Sequence, residues 1–292
     1  MKSRWIGRTA ESLFNVLFPS DCRICGEPLP NVSRLPVCPD CLVKIHPIGG
    51  QVCSICGERV LSSYTLPDGD GWIRCPICRR IDRPFERAVA YGSYDGGLRE
   101  LIHLLKYNGV RPAAGVLGRM LAEAIGSLDA SFGHNKIFVV PVPLYKRKRH
   151  ERGFNQAELI SKMALKHLPQ DRFELRADLL VRTRETHSQI GLTSHQRREN
   201  MRGAFAVPRS EQVTGHAILL VDDVYTTGTT VSECAKVLRR AGAGQVWVAT
   251  VARTLRLASK YAEDNGLKVS EFQGPKDEGE DISVDSLETM KL

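Results

Sequence analysis

"ILLVDDVYTTGTT", residues 218–230, decides how this chain is read. Four apolar residues run into two adjacent carboxylates, Asp222 and Asp223, and soon after come Thr226, Thr227, Gly228, Thr229 and Thr230. The apolar run reads as a buried strand, and the hydroxyl-rich turn leads into a helix beginning near Thr229. A helix N-terminus offers unpaired N–H groups and the positive end of the dipole. Gly228 lets the backbone come close to a phosphate, and the threonine hydroxyls add donors. The two carboxylates want a different partner: vicinal sugar hydroxyls, which donate to them, with Mg²⁺ held through those hydroxyls or through water. A sugar phosphate satisfies both halves. A capped turn with surface acids would account for a lone acid pair, but not for the whole string. The loop is not a Walker A loop, because the G-K-[ST] ending is absent.

The surrounding sequence alternates strands and helices. Strands are expected at 88–94, 136–142, 217–224 and 245–253, and helices at 97–107, 113–125, 156–168 and 229–241. In the first of these helices the apolar residues fall at 98, 101, 102, 104 and 105, a helical spacing. Such alternation implies an α/β fold, a parallel sheet with helices on both faces. Ligands of these sheets sit beyond the carboxyl ends of the strands, where Asp222 and Asp223 fall. After the 136–142 strand come Lys146, Arg147, Lys148, Arg149 and Arg152, five cations suited to a highly charged phosphate group. Gly153, Asn155 and Gln156 then open a helix. Lys106 closes a predicted helix near the same sheet edge. It has a structural role there against the helix dipole, and it is also within reach of phosphate.

Eight of the nine cysteines precede residue 80, as Cys22-x-x-Cys25 with Cys38-x-x-Cys41 and Cys53-x-x-Cys56 with Cys75-x-x-Cys78. Two C-x-x-C pairs fill one tetrahedral shell, so the segment predicts two closed, structural Zn²⁺ sites. Sequential pairing closes the shorter loops. Gly26 and Gly57 follow the first pair of each set, and Pro39 and Pro76 stiffen the second. Disulfides are the competing reading. They are disfavoured without a secretory signal, which points to a reducing, cytoplasmic setting. Metal binding would hold together a segment too small for its own core. Cys234, alone on a predicted helix, reads as a small core residue.

At 292 residues and 42% hydrophobic content the chain can bury one or two cores. Its apolar runs are far short of the roughly 20 residues of a membrane span. The first residues read as a short amphipathic helix, with Leu13, Phe14, Leu17 and Phe18 on one side. The net charge is +8, but residues 263–292 hold nine acids and three bases, so residues 1–262 carry +14. A body that basic suits phosphates, small or polymeric. The acidic end reads as a disordered, solubilising tail.

Residues 218–230 resemble the signature by which type I phosphoribosyltransferases bind 5-phosphoribosyl-1-pyrophosphate (PRPP). Together with the cysteine ladder, "LIHLLKYNG" at 101–109 and "PVPLYKRKRHERGFNQ" at 141–156, the chain is similar to the ComF family, over about residues 10–255. The resemblance implies an N-terminal helix and double zinc ribbon over 1–86 and a phosphoribosyltransferase-like domain over 87–262; the acidic tail over 263–292 lies outside it. It implies that Asp222 and Asp223 meet the ribose hydroxyls. Thr226, Thr227, Gly228, Thr229 and Thr230 would hold the 5′-phosphate, with Mg²⁺ accompanying PRPP. The turn after the 137–142 strand, with Lys146, Arg147, Arg149 and Arg152, would contact pyrophosphate. Residues 186–200 sit where type I enzymes keep a lid.

Phosphoribosyl transfer would then have a nitrogen nucleophile attack ribose C1 as pyrophosphate leaves, the protein positioning the reactants and stabilising charge. No residue reads as a base for the nucleophile, since His187 and His195 fall in a polar loop, and no nucleobase pocket is legible. PRPP binding without transfer therefore stays open. So does a second class, a single-stranded nucleic-acid-binding module. Arg74, Arg79, Arg80, Arg83 and Arg87 are interleaved with Trp72 and Phe85, a pattern that can track a strand and stack its bases. The family's tie to DNA uptake and natural transformation makes DNA or an uptake component a candidate partner.

Overall fold

The computed structural model describes residues 21–30, 33–60, 72–186 and 194–255, all within one compact unit ending at Leu255. The expected N-terminal amphipathic helix, His187 with residues 188–193 of the expected lid, the side chain of His195 and the acidic tail lie outside the described residues. Among the described residues, no helix is long and apolar enough to cross a membrane.

A short helix, α1 (Pro39–Val43), belongs to the cysteine-rich segment. Beyond it the chain alternates: β1 (Ala88–Ser93), α2 (Gly96–Tyr107), α3 (Ala113–Gly126), the single turn α4 (Asp129–Phe132) and β2 (Ile137–Pro141). Next come α5 (Lys146–Arg152), α6 (Gln156–Ala164) and β3 (Phe173–Leu175). The two-residue strands β4 (Val181–Arg182) and β5 (Phe205–Ala206) flank α7 (Ser194–Met201). The chain closes with β6 (Ala217–Tyr225), α8 (Thr229–Arg240) and β7 (Gln245–Arg253). Five strands form one parallel sheet in the order β1-β7-β6-β2-β3, and β4 pairs antiparallel with β5.

The sheet is buried on both faces, which is why its strands read as near-continuous apolar runs. Ile137, Val139, Leu219, Val221, Trp247 and Ala249 point to one face, against α2, α3 and α6. Phe138, Val140, Ile218, Leu220, Val246 and Val248 point to the other, against α8 and the β4–β5 ribbon. Helix α8 presents Val231, Cys234, Ala235 and Leu238, an i, i+3, i+4, i+7 stripe, to that second face. Cys234 is fully buried there, as its sequence context implied.

The cysteine-rich segment repeats a knuckle. C-x-I-C-G-E stands at 22–27 and again at 53–58. In both copies the first cysteine's N–H donates to the glutamate carbonyl, at 2.8 Å from Cys22 to Glu27 and 2.7 Å from Cys53 to Glu58. In both, the glycine adopts a left-handed conformation, φ +80° at Gly26 and +68° at Gly57, which favours glycine. The two copies straddle the sheet. Cys22 and Cys41 pack into the core of the first face, and Cys53, Cys56, Cys75 and Cys78 into that of the second. The chain between them runs along β1. Ile48 N–H donates to Tyr91 C=O at 2.7 Å, and Ala88 N–H donates to Ile55 C=O at 2.7 Å. These bonds cover an edge strand whose open ladder would otherwise invite pairing.

Some elements depart from the sequence-based reading. Residues 146–152, read there as a cation-rich turn after a strand, form α5, closed by Gly153 at φ +75°. The helix expected over 156–168 ends as α-helix at Ala164 and tightens into a 3₁₀ turn at Leu165–His167. The strands β3, β4 and β5 were not anticipated, nor was α7 within the expected lid. Two or three residues cannot display a period.

Candidate functional site

The cysteines converge as two four-sulfur clusters, Cys22/Cys25/Cys38/Cys41 and Cys53/Cys56/Cys75/Cys78, each with all sulfurs within 4.8 Å of one another. The Sγ atoms of Cys25 and Cys38 are 3.8 Å apart, and those of Cys56 and Cys75 3.7 Å. A tetrahedral ion with Zn–S bonds of about 2.3 Å holds its sulfurs about 3.8 Å apart. The residues therefore fit two structural zinc ions with the sequential pairing. The surroundings differ: Cys25 is exposed, whereas all four cysteines of the second cluster are buried.

At the far end of β6 the side chains of Asp222 and Asp223 emerge at the carboxyl edge of the sheet. Asp223 is buried, and its Oδ1 accepts an ion-paired hydrogen bond from Lys106 Nζ at 2.9 Å. Its Oδ2 is buried without a partner. Asp222 is half-buried, and its Oδ1 accepts from the Asp223 N–H at 2.9 Å. Burial, reinforced by the neighbouring Asp223 charge, pushes the Asp222 carboxyl up to about 7. Burial works against the Lys106 ammonium, but Asp223 outweighs it and holds the lysine above its ordinary range. Lys106 thus reaches into the acid pair rather than merely ending a helix.

Past Tyr225 the chain turns through Thr226 and Thr227 into α8. Gly228 caps that helix with φ +73°. A Cβ there would overlap the Tyr225 phenol, so the position requires glycine on two counts. Sequence reasoning assigned Gly228 to backbone approach of a ligand; the close neighbour in the structure is the buried tyrosine beneath the loop. Thr227 and Thr229 share a hydroxyl–hydroxyl bond of 2.7 Å, and Thr229 N–H donates to Thr227 Oγ1 at 3.4 Å.

The basic stretch after β2 lies on the same sheet edge, since β2 and β6 are adjacent and Val142 N–H donates to Val221 C=O at 2.8 Å. Helix α5 has no buried residue. Lys146 is exposed. Arg147 pairs with Glu151 at 3.4 Å and with Glu185, and Arg149 pairs with Glu158 at 3.6 Å. Arg152 donates to Gln156 Oε1 and lies 5.9 Å from the Tyr107 ring centre. Asn155 caps α6, its Oδ1 accepting from Ala157 N–H at 3.0 Å, while its Nδ2 donates to Val142 C=O at 3.0 Å. This one side chain ties the basic motif to the end of β2. The Arg152–Tyr107 contact joins the 141–156 and 101–109 motifs, and Arg111, two residues past the latter, lies over Phe154 at 5.3 Å.

Sequence reasoning missed Arg182 of β4. It donates to Thr186 Oγ1, lies over the Phe205 ring at 5.6 Å and is within electrostatic reach of Asp222. It also missed Tyr225 and Arg253. Tyr225 stands inside the motif itself and could have been questioned there; a single arginine at a strand end carries no local signal. The basic–aromatic surface expected near the second ribbon is smaller than the sequence implied. Phe85 is a core residue at 4% exposure. Arg83 is half-buried and within electrostatic reach of Cys78. Trp72, Arg79 and Arg80 are exposed.

Comparison with known proteins agrees with this architecture. Residues 13–69 match the double zinc ribbon domain family and residues 167–281 the phosphoribosyl transferase domain family. The DNA utilization protein YhgH of Escherichia coli O157:H7 is 32% identical over 211 residues, 70% of this chain and 91% of that protein. Competence protein F of Haemophilus influenzae is 28% identical, covering 74% of this chain and 96% of that one. Competence protein ComFC of Bacillus subtilis is 23% identical, covering 70% and 79%. With its two cysteine clusters set on a parallel sheet that ends in the Asp222–Thr230 loop, the chain belongs to the ComF family of double zinc ribbon and phosphoribosyltransferase-domain proteins.

Proposed function

We propose that the chain binds PRPP with Mg²⁺ at the carboxyl edge of β6 and β2. The observation that carries this reading is Asp223: a buried carboxylate with Oδ1 held by Lys106 and Oδ2 left without a donor, beside a helix start turned by Gly228. A ribose hydroxyl supplies the missing donor, and Asp222 takes the vicinal one. The 5′-phosphate receives N–H groups and threonine hydroxyls from 226–230. Lys146, Arg147, Arg149 and Arg152 supply cations for the pyrophosphate. Mg²⁺ would offset charge on the pyrophosphate oxygens. If a nitrogen nucleophile is admitted, the same groups stabilise pyrophosphate as it departs from C1, and the activity is phosphoribosyl transfer.

Calorimetry with PRPP, with and without Mg²⁺, tests the reading on wild type and on the Asp222→Ala/Asp223→Ala double variant. Two charge-assisted hydrogen bonds of about 1.5 kcal/mol or more are removed, so affinity should fall at least about tenfold. Wild-type protein that shows no heat at millimolar PRPP rejects it. Binding followed by pyrophosphate release with candidate bases marks a transferase; binding without release marks a PRPP sensor.

A second reading, single-stranded nucleic-acid binding by the second ribbon, rests on Trp72 at 56% exposure and on exposed Arg79 and Arg80, seven and eight residues further along the chain. The names of the relatives, DNA utilization and competence proteins, favour it too. Salt-dependent affinity for a single-stranded oligonucleotide, without PRPP, distinguishes it.

A further inference from the structure

The second ribbon reaches the phosphate loop through two side chains. Arg253, the last residue of β7, is buried and donates through Nη2 to Glu58 Oε2 at 2.6 Å and through Nη1 to the Cys56 carbonyl. Both acceptors belong to the second knuckle, and Cys56 is a cluster ligand. The same guanidinium stacks on the Tyr225 ring, 4.6 Å from its centre. Tyr225 is itself buried, and its hydroxyl lies directly under Gly228 of the loop. Thr254 N–H donates to the Tyr225 carbonyl at 3.0 Å, fixing the strand ends together. Arg83 lies within electrostatic reach of both Cys78 and Tyr225. The first knuckle carries the same C-x-I-C-G-E string, yet its Glu27 is exposed.

We infer that the second metal cluster positions the phosphate loop: a loaded Cys53/Cys56/Cys75/Cys78 site holds Arg253 against Tyr225, and Tyr225 holds the 226–230 turn in its ligand-ready form. The chemistry is direct. Four thiolates around Zn²⁺ fix the knuckle turn and carry a net negative charge, next to which two arginines are at home. Without metal the four sulfurs lose their common centre and the turn loosens. The Cys56 carbonyl and Glu58 carboxylate lose their places, and Arg253 is left as a buried cation without a firm partner. Its release removes the support beneath Gly228. Because coupling is reciprocal, a phosphate bound at the loop should in turn tighten the second metal site. Arg253, Tyr225 and Glu58 are positioning residues here.

The ligand half of this inference rests on the PRPP reading; the loop half does not. The experiment is hydrogen exchange of the 226–231 amides in zinc-loaded full-length protein, with the β2 amides as internal reference, alongside zinc content and Mg²⁺–PRPP calorimetry. Glu58→Gln and Arg253→Met should each speed exchange at 226–231 by about five- to a hundredfold, the range of typical coupling, with β2 unchanged. Glu27→Gln, at the equivalent place in the first knuckle, should leave exchange unchanged. Should Arg253→Met not fold, Glu58→Gln and stepwise zinc removal carry the test. A chelator should take the metal of the exposed first cluster first with loop protection intact, and protection should fall with the second metal. Loop exchange indifferent to Glu58→Gln and to the second metal overturns the inference. If the loop responds but wild type binds no PRPP, the coupling stands and the PRPP reading falls.

Discussion

Lys106 Nζ sits 2.9 Å from Asp223 Oδ1, joining residues 117 positions apart with both side chains largely withdrawn from water. The pair places a cation beside two adjacent acids, one of which, Asp222, does not readily ionise. Removing one partner of such a pair typically costs about 3–5 kcal/mol when the remaining charge is stranded. Lys106→Met should therefore destabilise the protein by about 2–4 kcal/mol at pH 8. Chemical denaturation of the variant beside wild type checks this.

Asp222 gives a pH dependence of its own. Its carboxyl is raised to about 7 in the fold, chiefly by burial, from an unfolded value of about 3.9. The native state therefore holds the proton longer than the unfolded chain, and stability falls as pH rises from about 4 to about 7, then levels off. Asp222→Asn should remove that slope. The variant should exceed wild type above pH 7 by on the order of 2 kcal/mol, after allowance for partial exposure. Without ligand, an Asp222→Asn protein less stable than wild type at pH 8 would contradict it.

Gly228→Ala tests the loop. It forces a Cβ into the Tyr225 phenol and places alanine at φ +73°. The strain alone should cost about 1–3 kcal/mol. Tyr225→Leu in the same chain should recover the part due to overlap and leave the part due to backbone conformation. Thermal unfolding of the two variants separates the contributions.

Zinc content should be two per chain, a count set by the two four-sulfur clusters. The first cluster, with Cys25 exposed, should be the first to react with a thiol reagent or oxidant. Elemental analysis during timed alkylation should show one zinc leaving well before the other. Simultaneous loss would mean that the difference in burial is without effect.

For nucleic acid, Arg79→Ala/Arg80→Ala should weaken single-strand binding while keeping both zinc ions. The slope of log K against log salt should become shallower by about 0.7 for each phosphate that is no longer neutralised. Arg83 is not a clean probe of that surface, because it is half-buried and within electrostatic reach of Cys78. Unchanged affinity in the double variant removes this face from consideration.

Local patterns were enough for the parts of this protein whose physics is local. The apolar period located α2, α3, α8 and the long strands to within a few residues, because each buries one face or two against the sheet. The C-x-x-C spacing identified the metal clusters, because two thiolates on one short turn already converge. The string from Asp222 to Thr230 announced an acid pair at a strand end followed by a glycine turn into a helix, because these follow each other along the chain. The rest depended on placement. Helix α5 is almost wholly charged and shows no apolar stripe; its end is set by Gly153 and its junction with α6 by Asn155 reaching back to Val142. Glu27 and Glu58 stand in the same six-residue string, yet one is exposed and the other is buried against Arg253. The two knuckles land on opposite faces of the sheet, and the second meets the end of β7 through Arg253. That choice, and with it the path from Cys56 through Arg253 and Tyr225 to Gly228, is made by tertiary packing. Pairings between residues so far apart in the chain leave no period, spacing or cap in the sequence from which to read them.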